Sequence, residues 1–92
     1  MNTAQPLSDD RKKTMAKILV VDDEEQMRQL IGQILSTHGY QCLLAATGRE
    51  AKDHLEKNAI DLALCDVNMP GESGIDLARH TNKHHPDTAV LM

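Results

Sequence analysis

The sequence has 92 residues, enough for one small domain, and a formal charge of −4 from 10 Lys and Arg against 14 Asp and Glu. Acids and bases are interspersed with no basic stripe, which argues against direct nucleic-acid binding by this segment. No apolar stretch approaches the ~20 residues that span a bilayer, and residues 1–15 lack the apolar core of a signal peptide, so the chain reads as cytoplasmic with no membrane contact.

Tyr40 is the only aromatic residue, so any core must be aliphatic. The two cysteines, Cys42 and Cys65, each sit inside an apolar run. They lack the spacing of a metal site and are too few for a secreted disulfide framework, and they read as buried free thiols in a reducing compartment.

Residues 1–15 are polar, contain Pro6 and show no periodicity, which predicts a flexible tail preceding a folded domain over residues 16–92. Ile18-Leu19-Val20-Val21 is a short continuous apolar run, the pattern of a parallel strand covered on both faces. It stops at Asp22-Asp23-Glu24-Glu25. Met27, Leu30, Ile31, Ile34 and Leu35 then follow helical spacing, with Met27 read as core, Asp23 as the cap and Gly39 as the terminator.

Cys42 to Ala46 predicts a second strand, and Thr47-Gly48-Arg49-Glu50 has the form of a capping box opening a helix to about Lys57, with Ala51 and Leu55 inward and Asn58 ending it. Ile60 to Cys65 predicts a third strand, which also ends on an acid, Asp66. After a loop containing Pro70 and Gly71, Ser73-Gly74-Ile75-Asp76 opens a third helix to about His84, and Ala89 to Met92 begins a fourth strand. His80 and His84 stand at the spacing of helical metal ligands, but that stretch reads as a solvated face. Regular alternation of strand and helix predicts an α/β fold with right-handed crossovers and a parallel sheet.

Ligands of open α/β sheets bind beyond the carboxyl ends of the strands. If the first and third strands are neighbours, as in the flavodoxin-like order 2-1-3-4-5, then Asp22, Asp23 and Asp66 converge on one edge. Three like charges at close quarters need protons or a cation to offset them. Oxygen-only ligands suit a hard cation such as Mg²⁺. A single acid at such a place more often caps a helix; acids ending two separate strands, with Met69-Pro70 and Gly74 following, favour a site.

Val20-Val21-Asp22-Asp23-Glu24, Leu64-Cys65-Asp66-Val67-Asn68-Met69-Pro70 and Gly74 together resemble the receiver domain of bacterial response regulators, over Lys17 to Met92. The resemblance implies a doubly wound flavodoxin-like sheet and a two-component phosphorelay module that relays its signal by conformational change. Asp66 would be the phosphoacceptor. Mg²⁺ would be held by Asp23 and Asp66, by Asp22 largely through water, and by the backbone carbonyl of Asn68. The donor would be a sensor histidine kinase or a histidine phosphotransfer protein, and Gly74 would let the third helix begin close to the loop.

The family pattern runs on through the fourth strand to a Ser or Thr, a fourth helix, a fifth strand bearing a Lys, and a fifth helix, whereas this sequence stops at Met92. The expectation is a partial receiver with an open sheet edge and an uncovered first helix, poorly stable or self-associating through either. Two other readings remain. A degenerate receiver would serve as a docking or dimerisation module without phosphorylation. A phosphatase of the haloacid dehalogenase type would need Asp-x-Asp-x-Thr/Val after its first strand, which neither acidic segment provides.

Overall fold

In the computed structural model residues 16–67, 69 and 73–92 are described; the expected tail over 1–15, Asn68 and residues 70–72 lie outside them. The alternating pattern forms as β1 (Lys17–Val21), α1 (Glu25–Thr37), β2 (Gln41–Ala45), α2 (Gly48–Lys57), β3 (Leu62–Cys65), α3 (Gly74–His84) and β4 (Ala89–Leu91). The strands make one parallel sheet in the order β2-β1-β3-β4, the flavodoxin-like order expected from the sequence.

Local chemistry sets most helix ends. The Thr47 hydroxyl accepts from Glu50 N at 3.1 Å, and the Glu50 carboxylate reaches back to Ala46 N at 2.8 Å, one residue earlier than the usual box. Ser73 caps α3 by accepting from Asp76 N at 3.1 Å. Gly39, at φ +92°, ends α1 in the left-handed conformation. The expected Asp23 cap is not formed: Glu24 holds the cap position without a side-chain bond, and the Asp22 carboxylate accepts from Glu24 N at 2.9 Å instead. Strand β3 starts later than Ile60, because the Ile60 carbonyl is taken by the Thr88 hydroxyl at 2.6 Å in the turn leading to β4.

Right-handed crossovers place α1 on one face of the sheet and α2 with α3 on the other. The register aligns Leu19 with Leu43 and Ala63, and Ala63 with Val90. These residues meet Ala51 and Leu55 of α2 and Leu77 of α3 in one aliphatic core, which also takes in Met69. That face is closed. On the α1 face the helix packs over β1 and β2, and only Ile18 and Val20 of β1 are fully buried; Cys42 and Leu44 of β2 and Leu62 and Leu64 of β3 are half-buried, and Leu91 of β4 is 59 % exposed.

Helix α1 lies close over β2 at Gly32, where a Cβ would meet a methyl of Leu44 at 3.0 Å. Its apolar side extends past the strands it covers. Met27, Leu30 and Ile34 are exposed, so Met27 is not the core residue its spacing suggested. No helix among the described residues is long and apolar enough to cross a membrane.

Candidate functional site

The parallel ladder carries the acids into position. Val21 of β1 lies beside Cys65 of β3, and pairing runs one residue further: Asp66 N donates to Val21 O at 2.9 Å and Asp22 N to Ala45 O at 3.0 Å. Asp22 and Asp66 are thereby fixed on adjacent strands by main-chain bonds, independent of their side chains. Asp23 is the next residue of the β1–α1 turn. One carboxylate oxygen from each of Asp22, Asp23 and Asp66 falls within 4.8 Å of the others. The site residues named from the sequence are therefore brought together, except Asn68, which lies outside the described residues.

Two contacts tighten this arrangement. Gly74, the first residue of α3, donates its N–H to Val67 O at 3.0 Å. It sits so near the chain after β3 that a Cβ there would lie 2.3 Å from Asp66 O. The close approach inferred for Gly74 is thus present. The second contact had no sequence signal: Arg28, one turn into α1, donates from Nη1 to Asp22 O at 2.7 Å.

Asp22 and Asp66 are half-buried and Asp23 is exposed. At 4.8 Å, a pair of like unit charges repels by about 0.9 kcal/mol in water and about 3.5 kcal/mol at an effective dielectric of 20. An exposed member keeps the site nearer the first figure, and three such pairs still favour a counter-cation. The donor set fits Mg²⁺: carboxylate oxygens only, open to water, with no nitrogen or sulfur ligand.

The acids stand at one end of an open groove of about 790 Å³ whose apolar wall includes Val20, Met27, Ile31, Leu64 and Leu91. Cys65, directly before Asp66, faces the closed core, and burial pushes its thiol up to about 11. Both cysteines are free thiols, Cys65 buried and Cys42 half-buried.

The expected solvated face holds at His84, which is exposed, but not at His80. His80 and His85 are half-buried, the His80 and His84 ring centroids are 4.6 Å apart, and His85 Nε2 lies 3.7 Å from the Glu56 carboxylate. Even so, among the described residues only the Asp22, Asp23 and Asp66 set gathers three such donors within 4.8 Å of one another.

Residues 18–92 match the family model described as the response regulator receiver domain. The chain is 35 % identical over 78 residues to the transcriptional regulatory protein CpxR of Escherichia coli K12, covering 85 % of this chain and 33 % of that protein. It therefore spans about a third of that relative's length. Among solved structures, the chemotaxis response regulator CheY4 of Vibrio cholerae superposes with a TM-score of 0.81 at 37 % identity, over 86 % of this chain and 68 % of that one. The response regulator TrrA of Thermotoga maritima, solved in complex with Mg²⁺-BeF, gives 0.78 at 37 % identity over 83 % and 66 %. TrrA has also been solved in complex with the histidine kinase ThkA. The register that sets Asp22 beside Asp66 and the match across nearly all the described residues lead to the same place: this chain belongs to the response regulator receiver-domain family.

Proposed function

We propose that the chain is the phosphoacceptor of a two-component relay, with Asp66 receiving the phosphoryl group in a Mg²⁺-dependent reaction. The observation that carries this reading is the gathering of Asp22, Asp23 and Asp66 oxygens within 4.8 Å at the carboxyl ends of β1 and β3. Asp23 and Asp66 would hold the cation directly, Asp22 largely through water, and Asn68 through its carbonyl. Bound Mg²⁺ would offset the negative charge of the acids and of the incoming phosphoryl oxygens.

In the transfer, a carboxylate oxygen of Asp66 attacks phosphorus in line with the P–N bond of a phosphohistidine. The P–O bond forms as the P–N bond breaks, and the imidazole leaves with the electron pair and takes up a proton. A sensor histidine kinase or histidine phosphotransfer protein supplies that group, in keeping with the ThkA–TrrA complex. The module works in the cytoplasm, with residues 16–92 as the receiver body and residues 1–15 as an appended tail. It is a signalling module whose own chemistry is limited to phosphoryl transfer and loss at Asp66.

The test is intact mass after incubating the chain with Mg²⁺ and acetyl phosphate, beside Asp66→Asn, with circular dichroism showing both folded. One phosphoryl adduct on the wild type alone is expected. A folded wild type that stays unmodified while binding Mg²⁺ would refute phosphoacceptance and leave the docking module as the reading.

A further inference from the structure

We propose that Arg28 is a positioning residue for the acid site, holding the peptide unit between Asp22 and Asp23 so that both carboxylates face Asp66. The inference rests on the reading of these acids as a cation site and adds a residue to it.

The observation is the 2.7 Å bond from Arg28 Nη1 to Asp22 O. That carbonyl belongs to the peptide joining the two adjacent acids, so the bond restrains the plane from which both side chains depart. The Asp22 N–H is already committed to Ala45 O at 3.0 Å and the Asp22 carboxylate to Glu24 N at 2.9 Å. With Arg28 added, the turn is fixed at its amide, its side chain and its carbonyl.

The choice of acceptor is informative. Arg28 is the fourth residue of α1 and follows Asp22, Asp23, Glu24 and Glu25 closely in sequence. A cation so near a helix N-terminus opposes the helix dipole. A guanidinium among four acids would ordinarily take a carboxylate, since charge-assisted bidentate pairs are the strongest available to it. Among the described residues Arg28 instead makes no ion pair and donates to a neutral main-chain oxygen. The turn is thereby held without occupying the carboxylate oxygens that a metal ion needs. Side chains on helices lean toward the N-terminus, which gives Arg28 the reach back over one turn.

The sign of one measurement separates positioning from mere proximity. A cation beside a Mg²⁺ site repels the ion, so removing a charge that only stands nearby must tighten binding. Removing a clamp that orders two ligands must loosen it. Mg²⁺ affinity would be measured by calorimetry on the full chain and on Arg28→Met and Arg28→Lys, with thermal melts in Mg²⁺-free buffer as the folding control. Arg28→Met keeps the apolar stem, removes the donor, and is expected to weaken Mg²⁺ binding on the order of tenfold, the size of one charge-assisted hydrogen bond. Arg28→Lys should recover part of that loss, and the Mg²⁺-free melting temperatures should stay close together. Unchanged or tighter binding in Arg28→Met, with the wild type binding normally, would overturn the inference and leave the metal site standing. A wild type that does not bind Mg²⁺ would overturn both.

Discussion

Gly74 offers the sharpest perturbation of the site, because the structure fixes what a single added methyl group would meet. An alanine Cβ would sit 2.3 Å from Asp66 O and 3.0 Å from both Asp66 C and Val67 Cα, all main-chain atoms that cannot rotate away. The shortest of these is about 1.1 Å inside the 3.4 Å at which ordinary contact begins, so α3 or the Asp66 backbone must shift by roughly that much. Overpacking of this kind costs about 1–3 kcal/mol, and losing the Gly74 N–H bond to Val67 O adds about 1 kcal/mol. Stiffening of the unfolded chain returns about 0.4–1 kcal/mol. The net loss is about 2 kcal/mol, roughly thirtyfold in the folding equilibrium. Gly39→Ala supplies the control: its φ of +92° strains any side chain, yet nothing lies within 4 Å of the new Cβ. It should lose a comparable 1–2 kcal/mol, far from the acids. Urea denaturation should show both variants weakened, while Mg²⁺ calorimetry should show at least a tenfold loss of affinity for Gly74→Ala alone. A Gly74→Ala chain that melts like wild type and binds Mg²⁺ as tightly would refute the reasoning. Equal loss of affinity in both variants would mean that metal binding follows global stability, not the seating of Asp66.

Two further outcomes follow from burial. The Cys65 thiol is pushed from 9.0 to about 11, so the unfolded chain gives up this proton at lower pH than the folded one. Its contribution is fully present below about pH 9 and disappears as pH rises toward 11, a loss of up to about 2–3 kcal/mol. Urea midpoints of wild type and Cys65→Ala should therefore converge across that window, and parallel pH slopes would count against it. On the α1 side, Leu30 and Ile34 are 51 % and 49 % exposed beside Met27, and exposed apolar stripes of this kind mark candidate association surfaces. Sedimentation velocity over a concentration series should show association that Leu30→Glu with Ile34→Glu abolishes at little cost to stability. A wild type that stays monomeric throughout would remove α1 as an association surface.

What could be read from the chain depended on how local the signal was. The strands are continuous aliphatic runs, and the acids that end them are visible without any fold. Adding the strand order was enough to place Asp22 beside Asp66. Thr47 with Glu50, Ser73 with Asp76, and Gly39 act within a few residues, so their roles were also legible. Gly74 was legible only as a motif, since the atom it must avoid belongs to Asp66, eight residues back in the chain. Met27 misled because periodicity shows that a helix has an apolar side but not how much of that side its neighbours cover. Arg28 gave no signal: its acceptor is a main-chain carbonyl, which every residue possesses, and only the turn of the chain selects that of Asp22. The half-burial of His85, whose ring faces Glu56 of α2, depends on α2 lying against α3, a packing that no local pattern encodes.

The uneven cover of the sheet bears directly on the site. Residues pointing toward α2 and α3 stay buried from β1 into β3, as Val21 at 1 % and Cys65 at 6 % exposure show. On the opposite face cover is lost step by step, from buried Val20 through half-buried Leu64 to exposed Leu91. Asp22 therefore leaves a strand packed on both faces, whereas Asp66 leaves one packed on a single face. Stability within a fold is local, and segments with few buried contacts open first. The Asp66 side of the site thus has less packing behind it than the Asp22 side, and the main-chain ties to Val21 and the close approach of Gly74 offset that deficit. These ties run through main-chain atoms alone, so the position of the Asp66 backbone does not depend on what its carboxylate binds.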